Sequence, residues 1–379
     1  MNVPFTPAEL QHLLARPVRA VVGPEERAAF RDRRVLVTGA GGSIGAELAR
    51  ELAGCRPAVL GLVDQSELAL FAVEREIRQR WPQVRIEVSL TDVTRRPAIR
   101  RACRVVRPDV VYHAAAYKHV TMAERAPAAS ALVNVVGTAE TAMAAAAEGA
   151  RFVLISSDKA ADPKSVMGAT KRMAELVVLG MASERFRPVV VRFGNVIGSS
   201  GSVLQIMRDC VRRGQPIPLT DPAATRFFMT ASEAVALVLR ADLLGRAAEI
   251  FWLEMGRPIR MSELVARLIA LEQAAGFAPV PVQVIGLRPG EKRTEVLADP
   301  RLVFDRTIDR RIRVAREASA DTAGVAAAFA RLRRAAIHAN DAAVLDVLAS
   351  MPGGFLPSAA ASAHARRETT GPAGKGRAA

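Results

Sequence analysis

RRVLVTGAGGSIG (residues 33–45) is a β-branched run, Arg33 to Thr38, that breaks into glycines and leads into a helix expected over 46–53. Gly39, Gly42 and Gly45 stand three residues apart. Each has a task in a dinucleotide-binding turn: a tight bend, close approach of the backbone to a pyrophosphate, and close packing of helix on strand. Ser43 and Ile44 open that helix, whose N–H groups and positive dipole end face the phosphates. A glycine pattern alone is weak; here the strand, the helix and an acidic residue all fall in place. The acidic residue is Asp64, which closes the strand AVLGLVD (58–64). A carboxylate there accepts from both ribose hydroxyls and repels a 2′-phosphate, so NAD is favoured over NADP, although Gln65 and Ser66 leave room for either. Asp92 and Val93 close the strand VRIEVSLTDV (84–93). Asp92 reaches an adenine amino group in one reading and caps a turn in the other. Ala114, Ala115 and Ala116 are small where backbone passes a nicotinamide ribose.

Outward from this turn, strands alternate with helices: helix 67–80, strand 109–115, helical segments over 124–148, strand 151–157, helix 167–185 and strand 188–196. Such alternation means a parallel sheet covered on both faces, so the expected fold class is α/β, a Rossmann-type doubly wound sheet with a smaller C-terminal α/β substrate-binding part. Expected boundaries are a helical leader over 1–32, with Thr6-Pro7-Ala8-Glu9 as its helix start, a nucleotide-binding domain over 33–200 that carries the catalytic residues, and a mainly substrate-binding part over 201–350. Residues 353–379, rich in Gly, Pro, Ala, Ser and basic residues, read as a disordered tail.

Composition narrows the function. The net charge is +15, yet aromatics are only 4% of the chain and no basic run is interleaved with them, which argues against nucleic acid and leaves an anionic substrate. Cys55, Cys103 and Cys210 form no CxxC pair and no zinc pattern, so reduced thiols and no metal site are expected. The start MNVPFTPAEL has no signal-peptide pattern and no stretch has the length of a membrane span, so a cytoplasmic protein without a transmembrane segment is expected.

The strand at 151–157 ends in Ser156-Ser157-Asp158-Lys159, and Met167-Gly-Ala-Thr-Lys171 opens the next helix. Substrates of parallel α/β sheets sit at strand C-termini. An Asp beside a Lys there offers an acid and a base to one small site, unless the two are only a solvated turn pair. At these residues the chain resembles the nucleotide-sugar 4,6-dehydratases of bacterial polysaccharide biosynthesis, the UDP-N-acetylglucosamine 4,6-dehydratase group of the extended short-chain dehydrogenase/reductase superfamily. The resemblance rests on VLVTGAGGSIGAEL (35–48), HAAAYKHV (113–120), SSDKAADPKSVMGATKRMAE (156–175), VRFGNVIGSSGSV (191–203), TRFFMT (225–230) and GLRPGEK (286–292), which occur in family order. The leader ELQHLLARPVR (9–19) is similar to the segment before this domain in the long, membrane-anchored members, whose membrane part is not expected here.

The resemblance implies oxidation at C4 of a UDP-sugar, loss of water across C5 and C6, and return of the hydride to C6. It makes Lys159 the base at C5, Asp158 the acid for the C6 hydroxyl, and Lys171 the lysine that binds the nicotinamide ribose. Met167 stands where the superfamily usually has Tyr and cannot take the C4 hydroxyl proton; long-form members are similar in carrying Met, and Ser157 can relay that proton with Lys171. On the substrate side, Asn195, Arg226, Arg288 and Glu291 are candidates for contacts to the diphosphate, with Lys292 beside them, and Lys118, Tyr117 and His119 for the sugar pocket. A guanidinium matches phosphate bidentately, but each of these residues can equally sit in a structural ion pair. A homo-oligomer associating through 124–148 and 167–185 is expected. The rivals are a nucleotide-sugar 4-epimerase, which gives the Asp158–Lys159 pair no task, and a non-catalytic NAD-binding scaffold.

Overall fold

The chain was analysed as a computed structural model that describes residues 5–18, 22–199, 201–295, 302–316, 322–352 and 354–369. Its centre is a nine-stranded sheet. Strands β1 (Arg34–Thr38), β2 (Val59–Asp64), β3 (Ile86–Leu90), β4 (Val110–His113), β5 (Arg151–Ile155) and β6 (Pro188–Arg192) lie in the order β6-β5-β4-β1-β2-β3, all parallel. Glu249–Leu253 continues the sheet beyond β6 in parallel, and Ile312–Arg316 and Asp305–Arg306 close that edge antiparallel. The order reverses between β1 and β4, so the chain leaves these two strands in opposite directions and a crevice opens at their C-terminal ends. Val35, Leu36 and Val37 are fully buried, as a strand covered on both faces requires. Helices Ser43–Gly54 and Ala231–Leu244 cover one face, and Arg96–Val106 and Thr138–Ala147 the other.

Several expected boundaries move, each for a local reason. The third strand ends at Leu90, because the Thr91 N–H bonds the Asp64 carbonyl and the chain then turns at Asp92. The segment 124–148 is not one helix. Pro127 starts a new helical turn, and Leu132–Gly137 is π-helical, with the Thr138 hydroxyl donating to the Asn134 carbonyl at 2.7 Å. The catalytic-side helix runs Val166–Gly180, shorter than 167–185.

The leader is not a unit of its own. Thr6 and Glu9 form the expected capping box, worth about 1 kcal/mol, and helix Pro7–Leu14 follows. Phe5, Leu13 and Leu14 are buried in the core of the smaller part, among Leu204, Met207, Leu264 and Leu268. Arg16 pairs with Glu233 at 2.6 Å, and Glu9 with Arg208. The second leader helix, Pro24–Phe30, instead packs Phe30 against Tyr112 beneath the main sheet.

The expectation of disorder over 353–379 is corrected for its first part. Ala359–Thr369 is a helix whose Ala361 and Ala365, one turn apart, are buried, because alanine favours helix and the pair makes an apolar stripe. Residues 370–379 lie outside the described residues. Helices Thr322–Ile337 and Asp341–Ala349 cover one side of Val166–Gly180, setting Val325, Leu332, Leu345 and Leu348 against Met167, Met173, Leu176 and Val177. Among the described residues no helix is long and apolar enough to cross a membrane.

Candidate active site

The glycine turn has the geometry its residues require. Gly39 has φ +68°, and a Cβ there would lie 2.6 Å from the Ala115 nitrogen; a Cβ on Gly45 would overlap the Gly39 carbonyl. Gly42 is the N-cap of Ser43–Gly54 and supplies no side-chain cap, so the helix end with Ser43, Ile44 and Gly45 faces the crevice without one. Asp64 accepts from the Gly41 and Ser66 N–H groups, each at 2.8 Å, which fixes its carboxylate at the end of β2. Gly41 was missed by the three-residue step, although the doubled Gly41-Gly42 marks it. Asp92 accepts from the Thr94 N–H at 2.8 Å, the turn-capping alternative, while Val93 is buried behind it. Ala114 donates its N–H to the Thr38 carbonyl at 3.0 Å, tying the loop after β4 to the turn. These residues fit a dinucleotide across the β1–β4 crevice.

A second group forms at the end of β5. The strand register brings Ser156 under β6, where its N–H bonds the Val191 carbonyl, and the chain then curls into a short 3₁₀ turn over Asp158–Ala160. Asp158 is fully buried. Its Oδ1 accepts from the Ser157 hydroxyl at 2.9 Å and from Lys159 Nζ at 3.0 Å. Lys159 Nζ also lies 3.4 Å from Asn195 Oδ1 and 3.4 Å from Glu295 Oε1. Burial pulls the Lys159 amine down, and the Asp158 and Glu295 carboxylates more than offset it, so its pKa lies above the ordinary lysine value. Asp158 Oδ2, Asn195 Nδ2 and Glu295 Oε2 are buried with no hydrogen-bond partner among the described residues. The pair is thus not a solvated turn.

Lys171 follows one turn into helix Val166–Gly180, and its Nζ donates to the Ile155 carbonyl at 2.6 Å. Burial pushes this amine down to about 8, against the opposing pull of Glu175. Met167 is buried in the helix's first turn. The Asn134 amide donates to the Tyr117 carbonyl and to the Thr170 hydroxyl, both at 3.0 Å, and accepts the Tyr117 N–H at 2.7 Å, clamping the loop after β4 to this helix. Thr138 gives its proton to Asn134, so His113 Nε2 at 3.0 Å is the donor to Thr138 and Nδ1 accepts from Thr38 at 2.8 Å. Burial, with Lys171 nearby, keeps this imidazole neutral, pushed down to about 3.

The substrate-side candidates divide. Asn195 joins the catalytic group instead of standing apart from it. Arg226 is half-buried and gives its guanidinium to the Lys292 and Arg293 carbonyls at 2.6 and 3.1 Å, with Nε 3.8 Å from Glu295. It anchors the strap that carries GLRPGEK. Glu291 accepts the Arg288 N–H within that turn, and Lys292 Nζ donates to the Asp162 carbonyl at 2.6 Å. The Arg288, Tyr117 and His119 residues are exposed, as is Lys118, whose Nζ lies 3.5 Å from the Ser199 hydroxyl. Glu295 was missed because no short motif contains it; its only signal is its place three residues past the end of GLRPGEK. Glu175, Arg172 and Arg192 were missed as a buried cluster, since their contacts join a helix to a strand.

A family model described as polysaccharide biosynthesis protein matches residues 35–315. The probable polysaccharide biosynthesis protein EpsC of Bacillus subtilis is 39% identical over 297 residues, 77% of this chain and 49% of that protein, so the chain spans about half the length of EpsC. A UDP-glucose 4-epimerase of Rickettsia akari is 32% identical over 71% of this chain and 78% of its own length. Among solved structures, Pen from Bacillus thuringiensis superposes with a TM-score of 0.70 at 29% identity, over 76% of this chain and 89% of that one.

Proposed function

The chain belongs to the polysaccharide biosynthesis protein family, on the extended short-chain dehydrogenase/reductase fold, and we propose that it is a nucleotide-sugar 4,6-dehydratase that converts UDP-N-acetylglucosamine to the 4-keto-6-deoxy sugar in the cytoplasm. The observation that carries this reading is the buried Asp158 carboxylate paired at 3.0 Å with the half-buried Lys159, with orphaned polar atoms around them. A 4-epimerase gives that pair no task, and it ordinarily needs the hydroxyl that Met167 lacks.

Gly39, Gly42, Ser43, Ile44, Gly45, Asp64, Asp92, Val93, Ala114 and Lys171 would hold NAD, or less favourably NADP. The cofactor, when bound, accepts a hydride from C4 and gives it back at C6. The protein's own groups handle the protons. Proton flow from the C4 hydroxyl begins at Ser157, whose Oγ is bonded to Asp158 Oδ1 at 2.9 Å. The C4 proton passes from Ser157, with Lys171 as relay, to solvent. The proton that Asp158 gives to the departing C6 hydroxyl is the one it receives from Lys159, and solvent replaces it at the end of the cycle. The reactive form of the pair is its neutral tautomer, reached by moving the proton along the Lys159–Asp158 hydrogen bond; it is the minor form, because the Asp158 and Glu295 carboxylates more than offset burial and favour the Lys159 ammonium. Neutral Lys159 takes the C5 proton and returns it when C6 receives the hydride. Positioned acid and base groups of this kind each contribute roughly 10²–10⁴-fold. The Lys171 ammonium stabilises the oxygen at C4 as it loses its proton. Arg226, Arg288, Glu291 and Lys118 shape the nucleotide side, Arg226 by holding the strap.

Incubation with UDP-N-acetylglucosamine and NAD in deuterated water tests the reading. A product lighter by one water, carrying deuterium at C5, is expected. Recovery of a sugar with all its hydroxyls would replace the dehydratase by an epimerase.

A further inference from the structure

Glu295 is a buried carboxylate that the reaction as described leaves without a role. It is 6% exposed. Its Oε1 is 3.4 Å from Lys159 Nζ, and its Oε2 has no hydrogen-bond partner among the described residues. An unpaired buried carboxylate oxygen is costly, so a fold keeps one where something else compensates. The residue is placed with care. Thr225 and Thr294 form an isolated parallel bridge, and Arg226 binds the carbonyls of Lys292 and Arg293. Lys292 is fastened in turn to Asp162, on the loop that follows Lys159. Glu295 is thereby delivered against the Lys159 amine.

We propose that Glu295 is a positioning residue for the dehydration: its carboxylate aims the Lys159 amine into the pocket and offsets the positive charge that Lys159 gains as it takes the C5 proton. The claim rests on the dehydratase reading above. In the elimination, the C5–H bond breaks and its proton joins the Lys159 nitrogen lone pair. The electron pair forms the C5–C6 double bond, the C6–O bond breaks, and the Asp158 carboxyl proton leaves with the hydroxyl as water. Lys159 passes from neutral to cationic while buried, and Asp158 passes from neutral to anionic. A fixed negative charge 3.4 Å from the nitrogen stabilises the state in which that charge has developed more than the state before it, which is the condition for lowering a barrier. Asp158 and Asn195 complete the set of acceptors around the nitrogen at 3.0 and 3.4 Å, matching the three donors of an ammonium. Oxidation at C4 depends on other groups, Ser157 and Lys171, which bond Asp158 and the Ile155 carbonyl rather than Glu295.

The test separates the two steps. Glu295→Gln keeps the shape and removes the charge. Mixed with NAD and UDP-N-acetylglucosamine, it is expected to oxidise C4 and stall. Reduced nicotinamide absorbance should accumulate, product formation should fall at least about tenfold, and the sugar-nucleotide KM should stay within about threefold. Glu295→Asp, which restores the charge, is expected to recover part of the rate and lose the accumulated signal; it also serves if the Gln variant folds poorly. Wild-type turnover by Glu295→Gln without accumulation overturns the proposal. Loss of product with no reduced nicotinamide overturns it as well, because it places Glu295 in folding or in substrate capture. Failure of the native enzyme to form any keto sugar would instead remove the dehydratase reading itself.

Discussion

Neighbouring serines at the end of β5 serve two buried charged clusters, and the carboxylates of the two clusters are treated differently. Ser156 donates to Glu175 Oε1 at 2.5 Å. Arg192 grips the same carboxylate with Nε on Oε1 and Nη2 on Oε2, at 2.8 and 2.5 Å, and Arg172 adds a bond to Oε2 at 3.3 Å. Both Glu175 oxygens are therefore doubly bonded, and the paired cations hold its pKa below the ordinary value against the pull of burial. Ser157 donates to Asp158, where one oxygen is paired and the other is orphaned; Glu295 repeats the pattern. Among the described residues Arg192 Nη1 is without a partner in the first cluster, but neither Glu175 oxygen is. A satisfied carboxylate joins helix to sheet. In the proposed function the unsatisfied one, at a strand C-terminus beside a lysine, is kept for a ligand.

The largest effect that would break this contrast lies in the second cluster. Lys159→Ala or Asp158→Asn should lower the dehydration rate by roughly 10²–10⁴-fold while leaving cofactor binding intact, measured as keto-sugar formation beside a cofactor titration. A variant with near-native turnover would make the pair structural and erase the distinction. In the first cluster the loss should appear in stability instead. Glu175→Ala leaves the guanidinium of Arg192 buried and unpaired, at a cost of about 3–5 kcal/mol, read by denaturant unfolding. Unchanged stability would show that the satisfied cluster holds nothing together. A smaller effect falls at the strap. Arg226→Ala frees the backbone at Lys292 and Arg293, and kcat/KM for the sugar nucleotide should fall about tenfold, some 1.4 kcal/mol. Full activity would show that the strap keeps its place without the guanidinium.

The contrast also explains what the sequence could show. The glycine turn, Asp64, Asp158, Lys159 and Lys171 were legible because each acts from a fixed position on a strand end or a helix turn, so short spacing carries the geometry. The sheet was legible for the same reason, since β1, β2, β4, β5 and β6 are mainly apolar runs between helices and β3, at the edge, alternates. Glu295 reaches Lys159 across 136 positions of chain, a separation read directly from the two residue numbers, and no local pattern encodes such a meeting. Glu175 and Arg192 are similar: each is an ordinary charged residue until helix and strand pack. Asn195 stands out at its strand end, and only the fold shows that its Oδ1 lies 3.4 Å from Lys159 Nζ. The leader's helix start was readable from its Thr6–Glu9 cap, whereas the first part of the tail was misjudged through composition: Ala361 and Ala365 make a narrow apolar stripe in an alanine-rich segment, visible only against the surface that buries it.

A structure of the protein with NAD and UDP-N-acetylglucosamine bound tests the central claim most directly. The account predicts the hexose beside the nicotinamide, with C5 facing Lys159 Nζ and the C6 hydroxyl within hydrogen-bond reach of the now unpartnered Asp158 Oδ2. A hexose seated away from that oxygen, with Asp158, Asn195 and Glu295 still sealed from it, would contradict the account.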